Sequence, residues 1–255
     1  MANGSVWPDF QHVLASRRRS KVSVVNGVDN MTLGNQMVAV VSVSGAKIVK
    51  QSKPWFYRKL LKRPLDVLLV VLGAPFIVPI VLVLAFIVLR EGGNPFYSQE
   101  RIGRHGKRYR MWKLRSMVVD ADQRLSAYLA ENPEARREWE ETQKLRDDPR
   151  VTRFGRLLRR SSMDELPQLW NVLKGDMSLI GPRPMLPEQE QMYIGEGYYR
   201  LRPGITGFWQ TTGRNATSFA DRAWYDDRYE RSLTLGGDAA ILMRTFGVVM
   251  RATGC

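Results

Sequence analysis

Two carboxylates stand side by side at Asp164 and Glu165, inside the stretch RRSSMDELPQLWNVLKGDMSLIGPRP that runs from Arg159 to Pro184. Cations crowd them: Arg159 and Arg160 precede the pair, and Lys174 and Arg183 follow it. A carboxylate among cations can do two kinds of work on phosphate. It can attack phosphorus directly and form an acyl-phosphate, or it can hold a hard divalent cation such as Mg2+ that bridges to phosphate oxygens. The plain alternative is a helix start, with Ser162 as N-cap and Glu165 as the third residue of a capping box.

The elements needed to hold such a site bear on the choice. With Ser162 as N-cap, Pro167 falls inside the helix, where its missing N–H costs a bond. A helix beginning at Asp164 puts Pro167 in the first turn, where amides are unpaired anyway. The pair is therefore expected at a helix mouth. Upstream, NPFYSQERIGRHGKRYRMWKLRSM reads as a β-hairpin turning at Gly103–Gly106, with Lys113 and Arg115 near its end. Two helices broken at Asn132-Pro133 follow, then a basic amphipathic helix over DPRVTRFGRLLRRSS. RLRPGITGFWQTTGRN, rich in Gly and Pro, reads as loop, and two closing helices complete the chain. Asn171 and Asp176 are expected to brace local turns, and Trp170 and Trp209 to serve as core or interface aromatics.

The remaining composition narrows the chemistry. The 255 residues carry 39 Lys+Arg against 25 Asp+Glu, a net +14, which predicts a polyanionic partner. One cysteine, Cys255, rules out a disulfide framework or a cysteine zinc site, and two histidines, His12 and His105, leave little room for histidine catalysis. No helix-turn-helix, zinc-finger or RNA-recognition signature accompanies the charge, so nucleic acid is not the expected partner.

Val67 to Leu89 carries no charge. At about 1.5 Å per residue it is long enough for a bilayer core of about 30 Å. Gly73-Ala74-Pro75 and Pro79 interrupt it, and Lys or Arg residues flank both ends. Basic flanks favour the cytoplasmic side. Both ends satisfy that only if the chain enters the membrane and turns back, so a re-entrant helical hairpin broken at Pro75 is expected, with a kinked single span as the alternative. Residues 1–53, with a basic cluster at Arg17–Lys21, read as a poorly ordered extension containing one short strand near Met37–Val43; 54–90 as the membrane anchor; and 91–255 as a catalytic domain. The expected fold is mainly α with a small β-hairpin, its amphipathic helices lying on a membrane surface carrying anionic lipid.

KLRSM (Lys113–Met117), SSMDELPQLWNVLKGDMSLIGPRP and RPGITGFWQTTGRN (Arg202–Asn215) resemble the bacterial sugar transferases, the monotopic polyprenyl-phosphate phosphoglycosyl transferases, from about Lys62 to about Thr245. The resemblance implies transfer of a sugar-1-phosphate from a UDP-sugar, galactose or glucose first, to undecaprenyl phosphate, an early step of exopolysaccharide synthesis at the cytoplasmic face of the bacterial inner membrane. It implies Asp164 as nucleophile, Glu165 as its partner, and Mg2+ near Asp164. Lys113, Arg159, Arg183 and Arg214 would bind phosphate or nucleotide, as would Arg115 beside Lys113. It also implies Pro75 as the membrane break, although Ala74 stands where some members have serine. A homo-oligomer is compatible with the sequence. The competing class is a non-catalytic, membrane-anchored basic protein that binds anionic lipid or nucleic acid.

Overall fold

The computed structural model describes residues 56–142, 145–213 and 219–250. The N-terminal extension, its expected strand and Arg214 lie outside these residues. The described chain is mainly helical, with two small two-stranded sheets.

The apolar run forms one helix, α1 (Lys62–Arg90), entered through a single π turn at Tyr57–Leu61. Pro75 and Pro79 both lie inside it. The interruption expected at Gly73–Pro75 is therefore not an end of the helix. Proline has no N–H to give, so the carbonyls of Val71 and Pro75 lose their helical partners one turn apart. Most of the apolar surface is open: Leu72, Phe76, Leu82 and Phe86 are exposed. Tyr57–Arg90 is long and apolar enough to cross a membrane.

The two ends of α1 nevertheless pack on the rest of the protein. Val70 joins a core cluster with Met111, Val172 and Met177, while Ala85 and Val88 join Leu114 and Leu158. Met111 and Leu114 sit on one strand, about 10 Å apart at about 3.3 Å per residue. Val70 and Ala85 would be about 22 Å apart on a straight helix. The basic residues ahead of the run are also largely spent on internal contacts. Arg58 pairs with Glu230, Lys62 with Asp238 at 2.6 Å, and Arg63 donates to the carbonyls of Val172 and Leu173.

The hairpin forms as its alternation predicts. β1 (Phe96–Ile102) pairs antiparallel with β2 (Arg108–Leu114), turning at Arg104–Gly106. Helices α2 (Ala121–Glu131) and α3 (Pro133–Thr142) break at Asn132-Pro133 as expected. α4 (Arg153–Arg160) is capped by the Thr152 hydroxyl, which accepts from the Gly155 amide at 2.8 Å. Gly155 is obligatory at this crossing, because a Cβ there would lie 2.0 Å from the Ser116 carbonyl oxygen.

α5 (Gln168–Lys174) follows the carboxylate pair, and β3 (Ser178–Ile180) pairs in parallel with β4 (Gly204–Thr206). The Gly-Pro-rich segment expected as loop thus contains β4 and the short helix α7 (Phe208–Thr212), preceded by α6 (Gly197–Arg200). Its glycines let two backbones approach: a Cβ on Gly204 would lie 2.1 Å from the Gly181 amide nitrogen. Helices α8 (Phe219–Ser232) and α9 (Leu235–Met250) close the described chain.

Candidate active site

Asp164 and Glu165 lie on a separate 3-10 turn, Met163–Glu165, rather than on a helix beginning at Asp164. α5 starts only after Pro167, because Pro167 has no N–H for the Met163 carbonyl; bonding resumes with Leu169 N–H to Leu166 and Trp170 N–H to Pro167. Ser162 makes no side-chain cap bond and adopts φ 57°, so the capping box does not form. This left-handed residue swings the chain out of α4 and aims the two carboxylates at β2.

Lys113 meets them there. Its Nζ donates to Glu165 Oε1 at 2.7 Å and to Asp164 Oδ2 at 3.5 Å. Asp164 is 7% exposed, set back behind the ammonium. Burial raises its pKa above the ordinary carboxylate value; Lys113 and Arg159 oppose that rise, and Glu165 adds to it. Arg159, on the last turn of α4, donates Nε–H to the Ser116 hydroxyl at 2.8 Å. Burial lowers its pKa, and the field of Asp164 acts against that.

Asn171 ties these parts together. Fully buried, it accepts from the Trp112 amide at 3.0 Å and donates to the Arg110 carbonyl at 2.7 Å and to Asp176 at 3.1 Å. It thus fastens β2 to α5, a longer reach than the local turn that Asn171 and Asp176 are expected to brace.

The turn and strand form a wall between two cavities. A polar one of about 40 Å³ is lined by Lys113, Glu165, Gln168, Arg101, Arg183 and Gln210. An apolar one of about 290 Å³ lies between α1, from Val70 to Leu82, and Trp112, Leu166, Pro167 and Trp170. Strand alternation explains the split, since Met111 and Lys113 face one cavity and Trp112 the other. Trp170, 59% exposed, lines the apolar cavity rather than a core.

Of the residues singled out in the sequence, Asp164, Glu165, Lys113 and Arg159 come together. Arg183 is exposed beside the polar cavity, its guanidinium 6.0 Å from the centre of the Trp209 ring. Arg115 lines neither cavity; its Nη1 packs against Gly93. Arg101 and Arg222 escaped notice. Arg101 projects into the polar cavity from β1, and Arg222 is buried on α8 against Trp209. The i, i+4 pair Arg222–Asp226 among aromatics was the available signal for the second.

Among the described residues no group of three or more His, Cys, Asp or Glu could hold a metal by itself. Two adjacent carboxylates nonetheless suit Mg2+, which is commonly held by one or two carboxylates with substrate phosphates completing the shell.

Comparison with known proteins places this geometry. Residues 57–252 match the bacterial sugar transferase family. The chain is 40% identical over 230 residues to a UDP-galactose-lipid carrier transferase of Erwinia amylovora, covering 89% of this chain and 47% of that protein. It is 43% identical over 198 residues to an undecaprenyl-phosphate galactose phosphotransferase of Salmonella typhimurium, covering 77% of this chain and 42% of that one. The chain therefore spans less than half the length of these two relatives. It is also 40% identical over 196 residues to the exopolysaccharide production protein ExoY of Sinorhizobium fredii, covering 76% of this chain and 87% of that protein. The match spans α1, the Lys113 strand, the carboxylate turn and the arginine-lined cavity, and this chain belongs to the bacterial sugar transferase family.

Proposed function

We propose that this protein is a phosphoglycosyl transferase that moves a sugar-1-phosphate from a UDP-sugar to undecaprenyl phosphate, feeding exopolysaccharide synthesis. One observation carries the reading: a buried carboxylate, Asp164, bordered by Lys113 and Arg159 at the edge of an arginine-lined cavity. The names of the relatives in Erwinia and Salmonella support galactose as the first sugar to try.

In the first half-reaction an ionised oxygen of Asp164 attacks the β-phosphorus of the donor. The bond from that phosphorus to the bridging oxygen breaks, and UMP leaves with its electron pair. An oxygen of undecaprenyl phosphate then attacks the same phosphorus. The acyl-phosphate P–O bond breaks and Asp164 returns as a carboxylate. Lys113 keeps Asp164 ionised against the cost of burial and neutralises charge that develops on the phosphoryl oxygens. Glu165 takes the acceptor's proton or helps position the metal. Mg2+, held by Asp164, would supply Lewis-acid neutralisation of the diphosphate.

The apolar cavity beside Pro167 and the open surface of α1 support membrane attachment with the carboxylates near the lipid. The return of both helix ends to one strand supports a re-entrant path bending at Pro75, with 54–90 as anchor, the catalytic residues on the cytoplasmic side, and the helix surfaces on anionic lipid. Labelling of residues 1–50 from the periplasm would sink that topology. The activity is tested by incubating the full chain in membranes with undecaprenyl phosphate and a panel of UDP-sugars and measuring UMP release. Release from one donor is expected, with none for Asp164→Asn; wild-type release by Asp164→Asn overturns the covalent mechanism.

A further inference from the structure

The polar cavity has a second pole that the covalent step leaves unused. Arg101 on β1 and Arg183 in the Pro182–Pro184 segment line it, and Arg222 on α8 lies close enough for the three charges to act on one another. The guanidinium carbons of Arg183 and Arg222 lie 6.0 and 5.8 Å from the centre of the Trp209 ring. Arg222 is 3% exposed, and among the described residues nothing accepts a hydrogen bond from its Nε or Nη2. Its carboxylate partner, Asp226, lies 3.7 Å away and also accepts from the Tyr193 hydroxyl at 2.9 Å. Arg101 donates through Nη2 to Gln99 and weakly through Nη1 to the Pro184 carbonyl, but its buried Nε is bare.

A purely structural role explains part of this. Arg222 stacks among Tyr198, Trp209 and Phe219, as a cation over aromatic faces does. Stacking does not satisfy bare N–H groups, and a buried charge without partners is costly. In the same cavity Gln210 Oε1, an acceptor, is also buried and unmatched, while its Nε2 donates to the Ile205 carbonyl at 3.5 Å. The cavity thus offers an unused donor on Arg101 and an unused acceptor on Gln210, with two more unused donors on the neighbouring Arg222. A bare phosphate ester supplies acceptors only, whereas a nucleotide supplies phosphate oxygens together with ribose hydroxyls and a base N–H. Position points the same way. Arg101 and Arg183 line the cavity on the polar side of the Lys113 strand, and the cavity against α1 is on the other side.

We propose that Arg101, Arg183 and Arg222 form the seat of the nucleoside monophosphate half of the donor, with Gln210 accepting from its ribose or base. The three arginines hold the phosphate that departs, and Lys113 faces the phosphorus under attack. This rests on the donor being a UDP-sugar, but the test does not depend on turnover. UMP binding to the full chain in lipid nanodiscs is measured by calorimetry, alongside uridine, inorganic phosphate and undecaprenyl phosphate. Arg183→Gln, at an exposed position, is expected to weaken UMP at least threefold. Arg101→Gln and Arg222→Lys, the latter keeping the charge and losing the fork, are expected to weaken it tenfold or more. Unaltered UMP binding in all three arginine variants overturns the assignment while leaving a UDP-sugar donor intact. Loss of undecaprenyl phosphate binding with UMP unaffected makes the cluster the acceptor's site and also overturns it. Absence of UMP binding to the wild-type chain removes both this seat and the nucleotide donor. Variants are compared only where their melting curves match the wild type within a few degrees.

Discussion

Asn171 bonds the backbone of β2 on both sides of Met111, at Arg110 and Trp112, so a side chain of α5 fixes the height at which Lys113 reaches the carboxylates. Replacing it by alanine leaves the buried Trp112 N–H without an acceptor. The expected cost is about 1–3 kcal/mol, with a kcat loss larger than the change in KM because Lys113 moves. Urea unfolding and steady-state kinetics on Asn171→Ala check both; wild-type stability would show that β2 holds its place without this bond.

The acid limb of activity should lie above the ordinary carboxylate range. Burial raises the pKa of Asp164, and in the proposed mechanism only the ionised form attacks, so rate is lost as pH falls through that raised value. Lys113 pulls the pKa down. In Lys113→Gln the limb should therefore move to higher pH, on top of a general loss of rate. A pH profile of UMP release that stays put, or moves to lower pH, contradicts this.

The same shift has a consequence for stability, with its own sign. A carboxyl whose folded pKa is raised contributes stability that is present below its unfolded pKa, about 3.9, and lost as pH rises through the folded value. Ionised Asp164 is therefore a burden on the fold at neutral pH. Asp164→Asn should be at least as stable as wild type at pH 7 and show no advantage at pH 3. Denaturant midpoints at the two pH values test it; a large destabilisation at pH 7 would mean that the ion pair with Lys113 outweighs burial.

Gly155→Ala should be severe for a small change. The added methyl meets the Ser116 carbonyl oxygen at 2.0 Å, and backbone on both sides must move. About 1–3 kcal/mol is expected from overpacking. Transfer should also slow, because Ser116 is what Arg159 grips beside Asp164. Thermal unfolding and kcat, measured together, separate the two effects.

Ser162 carries a backbone angle that side chains seldom adopt. Ser162→Gly should leave stability unchanged or slightly higher, and Ser162→Val should lose about 1–3 kcal/mol. A valine variant as stable as wild type would mean the chain enters the turn by another route.

The elements legible in the sequence were those set by local chemistry. Gly103 and Gly106 with flanking alternation gave the hairpin, Asn132-Pro133 the division of α2 from α3, and an apolar face set off from the arginines gave α4. The β3–β4 pairing was not legible: two three-residue strands in a glycine- and proline-rich context have no period to detect, and their partner lies far along the chain. The carboxylate turn and Lys113 could be named from their motifs. Arg101 and Arg222 could not, because their interest lies in being buried without enough acceptors, which only the packing of α8 against α6 and Trp209, and of β1 against the Pro184 segment, creates. Their opposite is Arg115, prominent in the motif and turned toward Gly93.

Arg63 donates to the carbonyls of Val172 and Leu173, at the far end of the helix that begins just behind the carboxylates, and Asp66 accepts from Ser178 at the start of β3. Those bonds make the hydrophobic helix a structural member of the protein rather than a tether. A chain shortened to begin at β1 would leave uncapped carbonyls and bare Val172 and Met177 where α1 had been, and it would not yield a soluble, working core. Solubilising this protein calls for substitutions on the open face of α1, around Leu72 and Phe76, with its two packed ends kept.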